Sequence, residues 1–178
     1  RSQPAYRQLV RPALRGEEPM LRRPFARITG LGTAVPDRVV TNADLETRLD
    51  TSDQWIVERT GIRERRICGP DEFVSTLSRD AANRALAQAG IGASDLDAIV
   101  LGTVTPDRLL PSTACDLQAL IGADKAAAFD ISAACPGFVY DLTIAESLIA
   151  AGHGEHILVP SADKLSTITD FQARSTAI

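Results

Sequence analysis

Cys135 is the residue whose surroundings most invite chemistry. It lies in Ala127-Ala128-Phe129-Asp130-Ile131-Ser132-Ala133-Ala134-Cys135-Pro136-Gly137-Phe138, and an apolar segment from Val139 to Ala151 follows. The pattern predicts a strand, a sharp turn and a buried helix, with the cysteine where the helix begins. Pro136 suits a first helical turn, where a backbone N–H has no partner to lose. Ala133, Ala134 and Gly137 leave room for a substrate or another backbone to approach. A helix start offers unpaired N–H groups and the positive end of the dipole, which together favour an anion by ~0.3–1 kcal/mol. That is too little to ionise fully a thiol of ordinary pKa ~8.5 at neutral pH. A nucleophile here would still need a base such as a histidine. The competing reading is a small buried hydrophobe, the usual condition of a free cysteine.

Trp55, the only tryptophan, is followed closely by Arg59-Thr60-Gly61-Ile62-Arg63-Glu64-Arg65-Arg66. An exposed indole among guanidiniums can stack a purine and neutralise phosphates. A core tryptophan beside a solvated charge run is the alternative. Cys115 falls mid-helix on an apolar face and reads as packing. His153 and His156, the only histidines, sit in a Gly-rich connection entering a strand. They read as surface residues, not as a catalytic base. No glycine-rich phosphate loop, metal-ligand cluster or internal repeat is legible.

The 178 residues suffice for one domain with a real core. A net charge of -4 argues against an electrostatic nucleic-acid binder. No apolar run approaches the ~20 residues of a membrane span. Three cysteines without CxxC spacing argue against a disulfide framework and favour a reducing cytoplasm.

The elements that must position these residues follow from periodicity. Phe25 to Gly32 alternates and predicts a first strand. Thr41 to Glu46 predicts a capped helix start with Leu45 and Leu49 on one face, and Ser52 to Glu58 a second short helix. Ser75 to Gly90 is the clearest helix, its stripe formed by Leu77, Ala81, Ala85, Leu86 and Ala89. Asp97 to Gly102 reads as a buried parallel strand, Thr103 to Pro111 as a loop, and Ser112 to Gly122 as a helix. His156 to Ala162 reads as another buried strand with an irregular end at Pro160. Ala177-Ile178 resembles the start of a further one. Residues 1–24 are arginine-rich without an apolar period and read as a disordered extension. Strands alternating with helices predict a layered α/β fold with a mostly parallel sheet and right-handed crossovers. Ligands in such sheets bind beyond the carboxyl ends of the strands, where Cys135 falls.

From about Phe25 onward the sequence resembles the N-terminal half of β-ketoacyl-acyl-carrier-protein synthase III, a condensing enzyme of the thiolase fold. The resemblance rests on Thr41-Asn42-Ala43-Asp44-Leu45, Thr51-Ser52-Asp53-Gln54-Trp55-Ile56-Val57, Arg59 to Arg65, Pro111-Ser112-Thr113-Ala114-Cys115 and Phe129 to Phe138. It implies a thiolase-like layered α/β fold with residues 25–178 as its N-terminal half. It implies Cys135 as the acylated nucleophile. Trp55 and Arg174 would sandwich the adenine of CoA, with Thr51 nearby and Arg59 towards the phosphates. Leu110 would lie where a dimer partner's loop closes the acyl pocket. The implied substrates are an acyl-CoA and malonyl-acyl-carrier protein, with no cofactor beyond the CoA thioester, in a homodimer. The family's catalytic histidine and asparagine belong to its second half, which these residues do not reach. The fragment alone would then lack the decarboxylation machinery and expose an apolar face. A non-catalytic pairing or CoA-binding module, a polyketide starter synthase and an ester-forming acyltransferase are the other readings.

Overall fold

The computed structural model describes residues 26–174. Its centre is a parallel three-stranded sheet in the order β4-β3-β5, with β3 Ala98–Gly102, β4 Ala127–Ile131 and β5 Ile157–Leu158. All five residues of β3 are buried. That is what an unbroken Ala-Ile-Val-Leu-Gly run requires of a strand covered on both faces.

Alternation along β3 divides its neighbours. Ile99 and Leu101 belong to one apolar cluster with Val74, Ala82 and Leu86 of helix α3 (Val74–Ala89) and Ala114 and Leu117 of helix α4 (Thr113–Ile121). Gly102 points the other way, towards helix α5 (Gly137–Ala150). The result is the expected sheet with helices on both faces. α4 ends at Gly122 and α3 at Gly90, each in the left-handed conformation (φ 73° and 71°) that glycine adopts without strain.

A smaller unit precedes the sheet. Strands β1 (Val39–Thr41) and β2 (Glu64–Arg66) pair antiparallel around helices α1 (Asn42–Glu46) and α2 (Asp53–Thr60). Thr41 and Asp44 form a capping box, and the Ser52 side chain accepts from the Trp55 N–H. Asn42 is the hub. Its Nδ2 donates to Asp53 Oδ1 (2.7 Å) and the Ile62 carbonyl (2.8 Å), while Arg65 Nη1 donates to its Oδ1 (2.9 Å). A buried amide with these partners ties both helices to β2 without a desolvation penalty.

Four expectations need correction. The first strand, placed at Phe25 to Gly32, has no ladder among the described residues. Residues 26–33 instead lie along α3. A Cβ at Gly30 would come within 2.1 Å of the Ala85 carbonyl oxygen, and one at Gly32 within 1.9 Å of the Ala81 carbonyl oxygen. The Leu31 N–H donates to Gln88 Oε1, and Arg84 Nη1 to the Thr33 carbonyl. The α3 stripe is also rotated: Val74, Ser78, Ala82 and Leu86 are buried, while Leu77, Ala81, Ala85 and Ala89 are half-buried beneath that glycine segment. α5 was expected to be buried, yet Phe138, Val139 and Tyr140 are 41%, 60% and 53% exposed. β5 is two residues long and half-buried, continued past Pro160 only by a bridge from Ser161 to Gly102. The expected extension at 1–24 and the strand start at Ala177-Ile178 lie outside the described residues.

Candidate active site

Three loops meet at the carboxyl edge of the sheet, and aspartates hold them. After β3, Asp107 accepts from the first N–H groups of α3, Val74 (2.8 Å) and Ser75 (2.9 Å). From β4, Asp130 does the same for α4 through Thr113 (2.8 Å) and Ala114 (2.7 Å). After β5, Asp163 Oδ1 accepts from the Val104 N–H and the Thr103 hydroxyl. Charged acceptors on helix-start N–H groups are among the stronger hydrogen bonds available. The edge on which β4 delivers its last residues is therefore rigid.

Cys135 follows directly. β4 ends at Ile131, Ala134 takes a positive φ of 51°, and the Gly137 N–H closes the turn on the Ala134 carbonyl at 2.8 Å. Pro136 stands at the cap of α5. Positive φ at a residue bearing a Cβ is uncommon and costs energy. Here it turns the chain from strand to helix within five residues. Cys135 is an exposed residue, while Cys68 and Cys115 are half-buried. Burial pushes the Cys68 thiol up. Cys115 Sγ sits in the first turn of α4 near Ser112 Oγ and the Ala128 carbonyl, which confirms packing as its role but not a mid-helix place. The exposed cysteine is the one the sequence singled out.

Among the described residues, neither histidine stands beside it. His153 and His156 follow the far end of α5, about 20 Å along a fourteen-residue helix. His156 serves through its backbone N–H, which with that of Glu155 holds the Asp97 carboxyl below the usual carboxylate range.

The second cluster joins residues far apart in sequence. Arg59 lies over the Trp55 ring at 4.3 Å and Arg174 at 4.9 Å from its centroid. Arg174 Nη1 donates to the Asp50 carbonyl (2.9 Å), which pins it to the turn before α2. In that turn Thr51 carries a buried hydroxyl with no hydrogen-bond partner among the described residues. Trp55 is half-buried, neither core nor fully exposed. Leu110 stands apart on the loop after β3, 86% exposed beside Leu109 at 89%. The residues that sequence reasoning missed are Asn42, Asp107, Asp130 and Asp163, whose partners come from remote segments.

Comparison with known proteins places this arrangement. Residues 129–178 match the family model for 3-oxoacyl-[acyl-carrier-protein] synthase III. A β-ketoacyl-[acyl-carrier-protein] synthase III of Roseiflexus castenholzii is 52% identical over 154 residues, covering 86% of this chain and 47% of that protein. The chain is similar to about half of a β-ketoacyl-acyl-carrier-protein synthase III. The crystal structure of the 3-oxoacyl-[acyl-carrier-protein] synthase III from Aquifex aeolicus superposes with a TM-score of 0.81 at 48% identity, covering 84% of this chain and 48% of that one. The priming β-ketosynthase of the R1128 polyketide pathway superposes at 0.84 with 37% identity, covering 93% and 48%. The chain thus spans about half the length of the synthase III relatives it matches, and its layered α/β fold is theirs. Among the described residues, no helix is long and apolar enough to cross a membrane.

Proposed function

We propose that the intact protein carrying this chain is a β-ketoacyl-acyl-carrier-protein synthase III type acyltransferase that starts fatty-acid synthesis. The observation that carries the reading is an exposed Cys135 at the strand-to-helix turn. The Cys135 thiolate attacks the carbonyl of an acyl-CoA. The CoA thiolate leaves and takes up the proton that the Cys135 thiol released on ionising, and a thioester on Cys135 replaces the thioester of CoA. Exchange of one thioester for another is nearly level in energy, so the acyl group stays reactive. Malonyl-acyl-carrier protein then loses carbon dioxide. The resulting carbanion attacks the Cys135 thioester, and the cysteine thiolate leaves. The enolate oxygen formed on decarboxylation needs fixed donors, which the family resemblance assigns to a histidine and an asparagine outside these residues. The 178-residue chain on its own is therefore inactive in condensation.

Trp55, Arg174, Arg59 and Thr51 form the CoA entrance in this reading, and Leu110 meets the partner in a homodimer. The experiment is mass spectrometry of the intact protein incubated with acetyl-CoA. The expected result is one acetyl group on the Cys135 peptide and none in Cys135→Ala. Absence of acylation in the wild-type protein contradicts the proposal. That 93% of this chain superposes on the priming ketosynthase favours a second reading, a polyketide starter synthase. Turnover only with a polyketide acyl-carrier protein supports that one.

A further inference from the structure

One group is buried without any visible reason. Asp141, in the second turn of α5, has 0% of its surface exposed. Neither of its carboxyl oxygens has a hydrogen-bond partner among the described residues. It is seated by Gly102, the last residue of β3. A Cβ on Gly102 would lie 2.3 Å from Asp141 Oδ2 and 3.2 Å from Ser161 Oγ. The glycine is what makes room for the carboxyl.

The surroundings offer no compensating charge. β3 turns Val100 and Gly102 towards α5, and the paired residues Phe129 and Ile131 of β4 share that face. From β5, Ile157 lies in register with Ala98 on the same side, and Ser161 contributes a hydroxyl beyond it. Asp130 faces the opposite side, where it holds α4. After β5, Asp163 is engaged with Thr103 and Val104, and Lys164 Nζ with the carbonyls of Gly69 and Glu72. α5 itself carries one other charged residue, Glu146, which lines a separate trough on the β5 side of the sheet.

A bare carboxylate here would lack both water and partner, whereas a neutral acid leaves only a hydroxyl and a carbonyl unpaired. We propose that Asp141 is a proton-operated latch that seats α5, and with it the turn bearing Cys135, on β3. With the proton on, the helix lies against Gly102. With the proton off, the carboxylate is driven towards water and the first turns of α5 loosen. This goes beyond the assignment of Cys135 as a nucleophile and does not depend on it.

The sign follows from linkage. Burial pushes the Asp141 carboxyl from 3.8 up to about 6. The folded state then binds more protons than the unfolded state between those values, so stability falls as pH rises through that window. The full loss is present above about pH 6 and absent below about pH 4. A separation of about two pH units corresponds to a roughly hundredfold change in the folding equilibrium.

The test compares the intact protein with Asp141→Asn, using urea unfolding from pH 4 to pH 8. Expected is a wild-type equilibrium that weakens by tens of fold relative to the variant as pH rises, levelling off above pH 7. Hydrogen exchange of the Tyr140–Ile144 amides gives the local readout. Wild type and variant should differ least at pH 4, and wild type should exchange at least tenfold faster at pH 8. Asp141→Ala serves if the amide variant does not fold. A pH-independent difference, or equal exchange at pH 8, overturns the proposal.

Discussion

Two guanidiniums at 4.3 and 4.9 Å from one indole occupy the surface that the family resemblance assigns to a purine. Each contact is a cation–π interaction worth about 0.5–2 kcal/mol, depending on desolvation. Together they hold the ring in place before ligand arrives. Arg174 at that distance leaves no slot for a base between itself and the ring, so binding requires the arginine to swing outward. Its hydrogen bond to the Asp50 carbonyl is to an exposed turn, which makes that a modest rearrangement. Removing the ring should cost the stacking of one base, about 1–3 kcal/mol, or roughly 5- to 150-fold. Trp55→Ala is therefore expected to raise the KM for acyl-CoA by about tenfold or more in the intact protein, with kcat within about twofold. Steady-state kinetics with varied acyl-CoA checks this, and an unchanged KM removes Trp55 from the site. Both faces of this reading were open in the sequence, because composition cannot say whether an indole beside arginines is buried. The half-buried ring and the arrival of Arg174, 119 positions on from Trp55, favour the stacking reading.

At the scale of elements, what the chain announces locally is what could be read. The capping residues Thr41, Ser52 and Ser112 and the terminating glycines Gly90 and Gly122 act within a few positions of themselves, and those boundaries were legible. The acceptors that complete the helix starts were not, because Asp107 reaches back 33 residues to Val74 and Asp130 17 residues to Thr113. The first predicted strand failed for the same reason. Alternation marks a chain able to pair, but a ladder needs a neighbour, and residues 26–33 have α3 beside them. α5 looked like a buried helix because its residues are apolar all round, yet the side bearing Val139 and Tyr140 is open. Asp141 was hidden in that same apolar pattern. Its seat gives an element-level prediction. Gly102→Ala should overpack the seam between β3 and α5, costing about 1–3 kcal/mol. In an Asp141→Ala background the same change should cost less than half as much, since the carboxyl oxygen is the nearest atom the new methyl would meet. Urea unfolding of the four proteins measures the coupling. Simple additivity would show that the carboxyl does not fill the space at Gly102.

Across the whole molecule, apolar surface is concentrated where the chain has no partner of its own. One region is the open trough of about 1240 Å³ between α3, α5, the outer side of β5 and residues 26–36. It includes neither Cys135 nor Trp55, so its size does not mark it as the reacting site. The other region is the tip of the loop after β3, where Leu109 and Leu110 are 89% and 86% exposed. That loop is not loose. Asp107 anchors it to α3, Arg108 pairs with Asp116 of α4, and the Asp107 N–H donates to Thr113 Oγ1 at 3.2 Å. A rigid loop presenting two leucines to water is a costly arrangement for a lone chain and a sensible one for a contact surface. Because the loop follows β3 and Cys135 follows the adjacent strand β4, a partner gripping Leu110 would be held at the edge of the sheet that carries the thiol. Leu110→Asp in the intact protein should therefore lower the dimer fraction at micromolar concentration by at least tenfold. It should slow acylation of Cys135 alongside, while leaving the far-ultraviolet circular dichroism unchanged, because a side chain 86% exposed contributes little to the fold. Sedimentation velocity and the acetyl-CoA labelling assay read the two effects. A variant that remains dimeric and is acylated at the wild-type rate would show that these leucines face something other than a second copy of the chain.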